Sequence, residues 1–447
     1  MIFIGFGFLV TSFHKFRLTT LANFFWIAAL SVQLYFLFQE FWKGLLSGRF
    51  LNKIIIDTRQ LIRAEQNATA ILIASCAIIG KTNSLQFLII TVFGVALYSL
   101  TEVIIILQVK TRDLGGSITL QLFGSAYGLA IASAQRYRNS WHNLNAYETQ
   151  GSLTTAFLGS LFLWCFWPSS NSALANSIVE IHLAMLNTYF SMIGSCIMAF
   201  TTSLFLGDGR FKMSQILNAS LAGAVFMGSC GDYLYDGWIA YLGGGFIGVV
   251  SCFLFEYMPK YFELLGIQQA AGVISHHGIP SIMAGIFSAF IREIYLDDKG
   301  WLQIAGVGIS LGMGVVGGLF IGEATRGLRY YQFKNDYYND RTNVILPDFE
   351  EARLEIYGPP HSAEESVMMI SNAPKQYELV TPLVNVTQPQ HFMQGAKPVV
   401  HLQSPYQQSV PVIHQYPNAQ RYSTQTNLHR ELFYDNQKGM RIFDVLQ

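Results

Sequence analysis

A small set of polar side chains stands inside stretches otherwise built from Ile, Leu, Phe, Ala and Gly, and any chemistry this chain performs resides there: Glu102, Asp113, Gln121, Asn171, Asn187, Asn218, the pair His276-His277, and Glu323. A polar group in an apolar span is costly, so each is either functional or hydrogen-bonded between helices. Only the histidines exchange protons near neutral pH, each ring offering one donor and one acceptor nitrogen. Glutamine and asparagine donate and accept but do not titrate. No nucleophile with a matching base accompanies them, and neither catalysis, a metal nor a cofactor is expected. Asp113 opens the Gly115-Gly116 turn into the fifth span and is expected to cap that helix start; Gln121 lies eight residues on, just over two helical turns, which predicts nearly the same helix face at two depths. Of the histidines, His277 is expected to line a pore and His276 to be a helix-start or loop residue.

These positions fall in or beside apolar segments near 2–14, 18–41, 66–83, 85–109, 115–135, 151–168, 181–206, 213–231, 235–257, 277–294 and 301–326. A membrane-spanning helix needs about 20 mostly apolar residues, so about eleven spans are expected, the first shorter than a full crossing. Close-set small residues, such as Gly243, Gly244, Gly245 and Gly248, or Gly314, Gly317 and Gly318, let helix backbones approach closely and predict one tight all-α bundle.

Composition agrees. Of 447 residues 51% are hydrophobic and 13% charged, against about 25% charged in soluble domains. The net charge of +0 and scattered basic residues point away from nucleic acid. The five cysteines, all in apolar runs without C-x-x-C spacing, read as small buried hydrophobes. The apolar start lacks a basic region and cleavage site, and reads as membrane helix. Lys and Arg counts nearly cancel across the loops, but Arg326, Arg329 and Lys334 after the last span favour a cytoplasmic C-terminus. An odd number of spans then leaves the N-terminus outside. Residues 331–447, increasingly rich in Gln, Tyr, Pro, Asn and Ser, read as a largely disordered cytoplasmic tail, either merely solvated or docking a partner. Among the sequons at Asn67, Asn218 and Asn385, only Asn67, at an outer helix end, is a glycosylation candidate.

Several runs in order resemble Rhesus glycoproteins of the ammonium transporter family: M-I-F-I-G-F-G-F at the start, L-I-R-A-E-Q at 61–66, D-L-G-G-S-I-T-L-Q-L-F-G at 113–124, L-F-L-W-C-F-W-P-S-S-N at 161–171, N-T-Y at 187–189, N-A-S-L-A-G-A at 218–224 and H-G-I-P-S-I at 277–282. The likeness covers about residues 1–330, and the F-L-W-x-x-W-P and H-G-I-P runs are its most specific parts. It implies a plasma-membrane homotrimer in contact with lipid. Each subunit would carry its own pore between two inverted, pseudo-symmetric halves of five helices. Rhesus proteins carry a further N-terminal helix and loop before the M-I-F-I-G-F-G-F run, so a shorter isoform or an incomplete gene model is expected.

In that family a vestibule attracts ammonium, two stacked phenylalanines cap the pore, and paired histidines line an apolar passage. By resemblance Asp113 is the structural and recruiting aspartate, Glu102 the buried glutamate, Asn171 the asparagine beside the pore, and His277 the second histidine; Asn218, inside an apolar span, reads as a buried structural polar residue. Four positions depart from the pattern. Gln121 replaces the first histidine, Gln66 and Ser170 replace the gate phenylalanines, and Gln269 replaces an aspartate. The implied function is a channel or facilitated transporter for ammonia, ammonium or a small solute such as carbon dioxide. The competing reading is a transport-degenerate structural or assembly subunit. A Gln121 amide hydrogen-bonded to His277 would keep the geometry and lose the proton relay.

Overall fold

The computed structural model describes residues 2–48, 53–136, 147–264, 272–328 and 339–345. Among them eleven helices follow one another: α1 Ile2–Leu9, α2 Leu18–Ser47, α3 Thr58–Ile78, α4 Ser84–Glu102, α5 Phe123–Gln135, α6 Gln150–Ser172, α7 Ile178–Leu206, α8 Met213–Met227, α9 Gly237–Leu264, α10 Ile279–Leu296 and α11 Trp301–Arg326. The wider π-helical turns Val103–Val109 extend α4, while Ser117–Leu122 and Ile274–Gly278 open α5 and α10. Such turns are rare and concentrate at functional sites. Here two of them carry Gln121 and the two histidines.

Seven of the helical stretches are long and apolar enough to cross a membrane: 18–47, 84–109, 117–135, 178–206, 237–262, 274–296 and 301–326. α3 and α8 differ for a physical reason. From Gln66 to Ile78 every residue of α3 is buried, as is every residue of α8 from Gln215 to Met227. Such helices face protein on all sides and need no lipid-compatible surface. The outward faces of α2, α7, α9 and α11 instead expose Phe25, Phe205, Trp238 and Phe320, as a hydrocarbon surrounding requires.

The contacts repeat with an offset of five helices. Within the first half α2 packs on α3 and α4, and α3 on α5; within the second α7 packs on α8 and α9, and α8 on α10. An offset of five crossings reverses direction, so α5 and α10 enter the bundle from opposite ends. The halves meet where α1 lies on α6 and where the opening turns of α5 and α10 touch. α11 straps the outside of the first half along α4 and α5. Closeness rests on small residues at the α7–α9 crossing. A Cβ on Gly244 would stand 2.0 Å from the Ser191 carbonyl oxygen, and one on Gly194 2.1 Å from that of Tyr241, so backbone meets backbone there.

Asn83 and Gln86 form a reciprocal capping box at the start of α4, and Asp57 accepts the backbone N–H of Gln60 at 2.7 Å to cap α3. Each such cap contributes about 1 kcal/mol. The start of α2 is capped from far along the chain. Asp340 accepts the backbone N–H of Thr19 at 2.7 Å, Arg17 at 3.0 Å and Leu18 at 3.2 Å, and its own N–H donates to the Lys15 carbonyl at 2.8 Å. The segment 339–345, within the stretch read as tail, is thus tied to the bundle. Residues 346–447, the rest of that tail, lie outside the described residues, as do Arg329 and Lys334.

Two expectations are corrected. Asn67 is fully buried and donates its amide to the Ser31 carbonyl at 3.2 Å, which removes it from any glycosylating surface; Asn385 is outside the described residues. Cys76, Cys230 and Cys252 are buried, but Cys165 is exposed and Cys196 half-buried. In a helix whose outer face meets an apolar surrounding, a small thiol is accepted on either side.

Candidate functional site

The chain turns sharply before α5. Gly116 adopts φ +77°, a left-handed conformation that glycine takes without cost. Gly115 donates to the Gly228 carbonyl at 2.7 Å, and a Cβ on it would stand 2.6 Å from Asn171 Oδ1. This one turn therefore brings α5, α6 and the end of α8 together. Asp113 precedes it, and its Oδ2 accepts the N–H groups of Ile118 at 3.0 Å and Thr119 at 2.7 Å and the Thr119 hydroxyl at 2.9 Å. Because the helix begins only at Ser117, Asp113 does not share a helix face with Gln121; the turn, not the eight-residue spacing, sets their relation. Burial pushes the Asp113 carboxyl up to about 6, while the donors on Oδ2 favour its ionised form.

Arg112, next to it, bridges Asp232 at 2.7 Å and Glu180 at 3.0 Å and lies over the Tyr233 ring at 5.0 Å. This cluster fastens the turn to the start of α7 and the α8–α9 connection. Sequence reasoning did not single out these three charged residues, since they lie 68 and 120 positions apart. Asn171 donates to Thr188 Oγ1 and the Ala224 carbonyl, both at 3.0 Å. Gln66 is buried with its amide 3.4 Å from the Leu114 carbonyl, and Ser170 is half-buried beside Asn171 on α6. Gln269 lies outside the described residues.

Asp113→Asn is expected to destabilise the protein by about 1–2 kcal/mol, because an amide can replace Oδ2 as acceptor only by burying an unpaired NH₂ group. Thermal unfolding in detergent and the yield of folded protein are the readouts. Unaltered unfolding with solute flux alone abolished would assign Asp113 a direct solute role instead.

Where the halves meet, His277 Nδ1 lies 2.6 Å from Gln121 Oε1, both side chains buried. An amide oxygen only accepts, so Nδ1 carries the hydrogen and Nε2 is left as an acceptor. His276 is fully buried too, stacked on His277 with ring centroids 3.9 Å apart at 21°. Trp167 lies 5.7 Å from His276, and Phe6 lies 5.8 Å from His277 and 5.7 Å from Trp167. Neither aromatic was singled out as a site residue. The W-P motif of α6 contained Trp167, but nothing linear tied it to α1 or α10.

From the histidines a cavity of about 180 Å³ opens toward the end of the bundle where α10 begins. Phe6, Cys76, Asn218 and Phe255 line it, with Ser214 and Glu148. Asn218 donates its amide to the Ser214 carbonyl of its own helix at 2.8 Å. Glu102 belongs to a different place. It accepts from Arg63 at 2.9 Å and the Tyr35 hydroxyl at 2.6 Å, tying α2, α3 and α4 together beside a second polar cavity of about 250 Å³. Asn187 holds the α8–α9 connection through the Gly231 and Leu234 carbonyls, and Glu323 is an exposed partner of Arg326.

The arrangement is a buried, mostly apolar contact between two halves with one amide and two imidazoles at its centre, able to hydrogen-bond a small molecule stripped of water. The sequence profile of the Ammonium Transporter Family matches residues 1–328. Ammonium transporter Rh type A of Bos taurus is 34% identical over 361 residues, 78% of this chain and 83% of that protein. Ammonium transporter Rh type C of Bos taurus is 33% identical over 358 residues, 73% and 76% of the two chains. Among solved structures, Nitrosomonas europaea Rh50 superposes with a TM-score of 0.68 at 23% identity, covering 83% of this chain and 93% of that one. A sensor Amt protein superposes at 0.61 with 18% identity, covering 73% and 90%. At these identities the structures speak to the fold.

Proposed function

The chain belongs to the Ammonium Transporter Family, and from that premise we propose that it is a plasma-membrane channel passing ammonia, as a homotrimer with one pore in each subunit. The observation that carries this reading is the 2.6 Å contact of Gln121 with His277 at the junction of the halves. The end of the bundle bearing Asp113 faces outside, and its carboxylates Asp113, Asp232 and Glu180, with Arg112 among them, make up the vestibule. With Gln66 and Ser170 in place of phenylalanines, that vestibule is wetter than one closed by two aromatic rings. Ammonium entering the apolar passage loses hydration, which favours its neutral base. Its proton passes to water on the entry side, ammonia crosses, and water on the far side returns a proton to it.

Within the passage His277 Nε2 accepts an N–H of ammonia, with the ring held by Gln121. The amide neither takes up nor releases a proton near neutral pH, so it breaks any proton chain along the pore. Flux is therefore electroneutral. Proteoliposomes carrying a trapped pH dye and given an inward ammonium gradient should alkalinise faster than protein-free liposomes of the same lipid, without a current on a solid-supported membrane. Equal rates would leave the protein without this function and favour a structural subunit. A carbon dioxide gradient applied to the same liposomes tests whether the pore also admits that gas.

A further inference from the structure

We propose that His276 is a second solute-contacting imidazole, forming with His277 a stacked pair that hydrogen-bonds ammonia at the cavity end of the passage. This rests on the channel reading above. It also departs from the plain expectation that His276 merely starts a helix. Neighbouring residues on an α-helix project about 100° apart, so two adjacent histidines seldom share a site. In the π-helical turn Ile274–Gly278 both are buried and their rings stack 3.9 Å apart.

The decisive feature is partnership. Among the described residues the nitrogens of His276 have no hydrogen-bond partner, although the ring is fully buried. A neutral imidazole always carries one donor and one acceptor, and leaving both unmet costs free energy that an apolar ring of the same shape would not incur. If His276 served only to fill space against Trp167 and His277, phenylalanine would do so without that cost. His276 borders the cavity of about 180 Å³ along with Asn218, Cys76 and Ser214. A small molecule that both donates and accepts fits this pair, and ammonia does both. The protein thus regains beside His277 an imidazole of the kind that residue 121 does not supply, on the cavity that the histidines line and Gln121 does not. Hydrogen bonding is restored there while the proton chain through Gln121 stays broken.

The two roles predict opposite rankings of variants. If His276 contacts solute, His276→Phe lowers ammonium-driven flux roughly tenfold, the loss of about one hydrogen bond to a buried partner, and His276→Gln retains more than His276→Phe. If it only packs, His276→Phe matches wild type and His276→Gln is the worse variant, which overturns the proposal. The flux assay is paired with nitrogen NMR of [¹⁵N]histidine-labelled full-length protein in nanodiscs, titrated with ammonium chloride against choline chloride. The His276 resonance, assigned by its loss in His276→Gln, should shift with ammonium only. A wild type that carries no flux yet shows this shift defeats the channel reading and leaves the binding site standing. Flux without the shift, or with His276→Phe tolerated, defeats the site alone.

Discussion

His277→Ala should reduce ammonium-driven flux roughly 10- to 100-fold, the loss of about 1.5–3 kcal/mol of hydrogen bonding to a solute in a dry passage. The ring is buried, fixed by Gln121 at 2.6 Å and flanked by Phe6 and His276, so no mobile group can stand in for it. Truncation also leaves Gln121 Oε1 without this partner. Thermal unfolding recorded beside the flux separates loss of function from loss of fold. Gln121→His supplies a titratable group where the amide breaks the chain, and ammonium-linked current should then rise above that of wild type. A wild type already carrying strong ammonium current, unchanged by either substitution, would show that the pair is not the selective element.

The second large effect concerns stability. Arg63→Met should cost about 3 kcal/mol, the low end for breaking a buried ion pair because a third of the Arg63 side chain is exposed while that of Glu102 is nearly covered. The remaining hydrogen-bond partners of Glu102 are neutral, the Tyr35 hydroxyl and the Gln39 amide, while Lys43 and Arg59 line the adjoining cavity without bonding it. The cost is that of a carboxylate left in a poorly solvated place without its cation. The double variant Arg63→Met/Glu102→Gln removes that charge and should recover most of the loss in thermal unfolding. An unaltered unfolding temperature in Arg63→Met would mean that water already solvates Glu102 through the adjoining cavity.

Apolar run length and small-residue spacing gave the helices, because a membrane span is a local property: α4, α7 and α11 lie within a few residues of the segments read from composition. The polar positions were legible for the same reason, since Glu102, Gln121 and His277 interrupt apolar runs. The depth of α3 and α8 was not, because burial on all sides depends on the neighbours that surround a helix.

What the sequence determined by itself was therefore an all-helical membrane bundle with a short set of polar interruptions, and a resemblance carried by motifs in order. Tertiary structure alone decided their partners. Gln121 reaches His277 across 156 positions, and Asp340 caps Thr19 across 321. The chain pattern tells which face of a helix is apolar but not which helix will cover it. It placed Asp113 at the turn that opens α5, but not off the helix face of Gln121, because the left-handed turn at Gly116 resets the direction of the chain. The stacked histidines show the same limit at its shortest range. Adjacent residues diverge on a regular helix, and these rings stack where the π-helical opening of α10 is held against α8, α9 and the opening of α5.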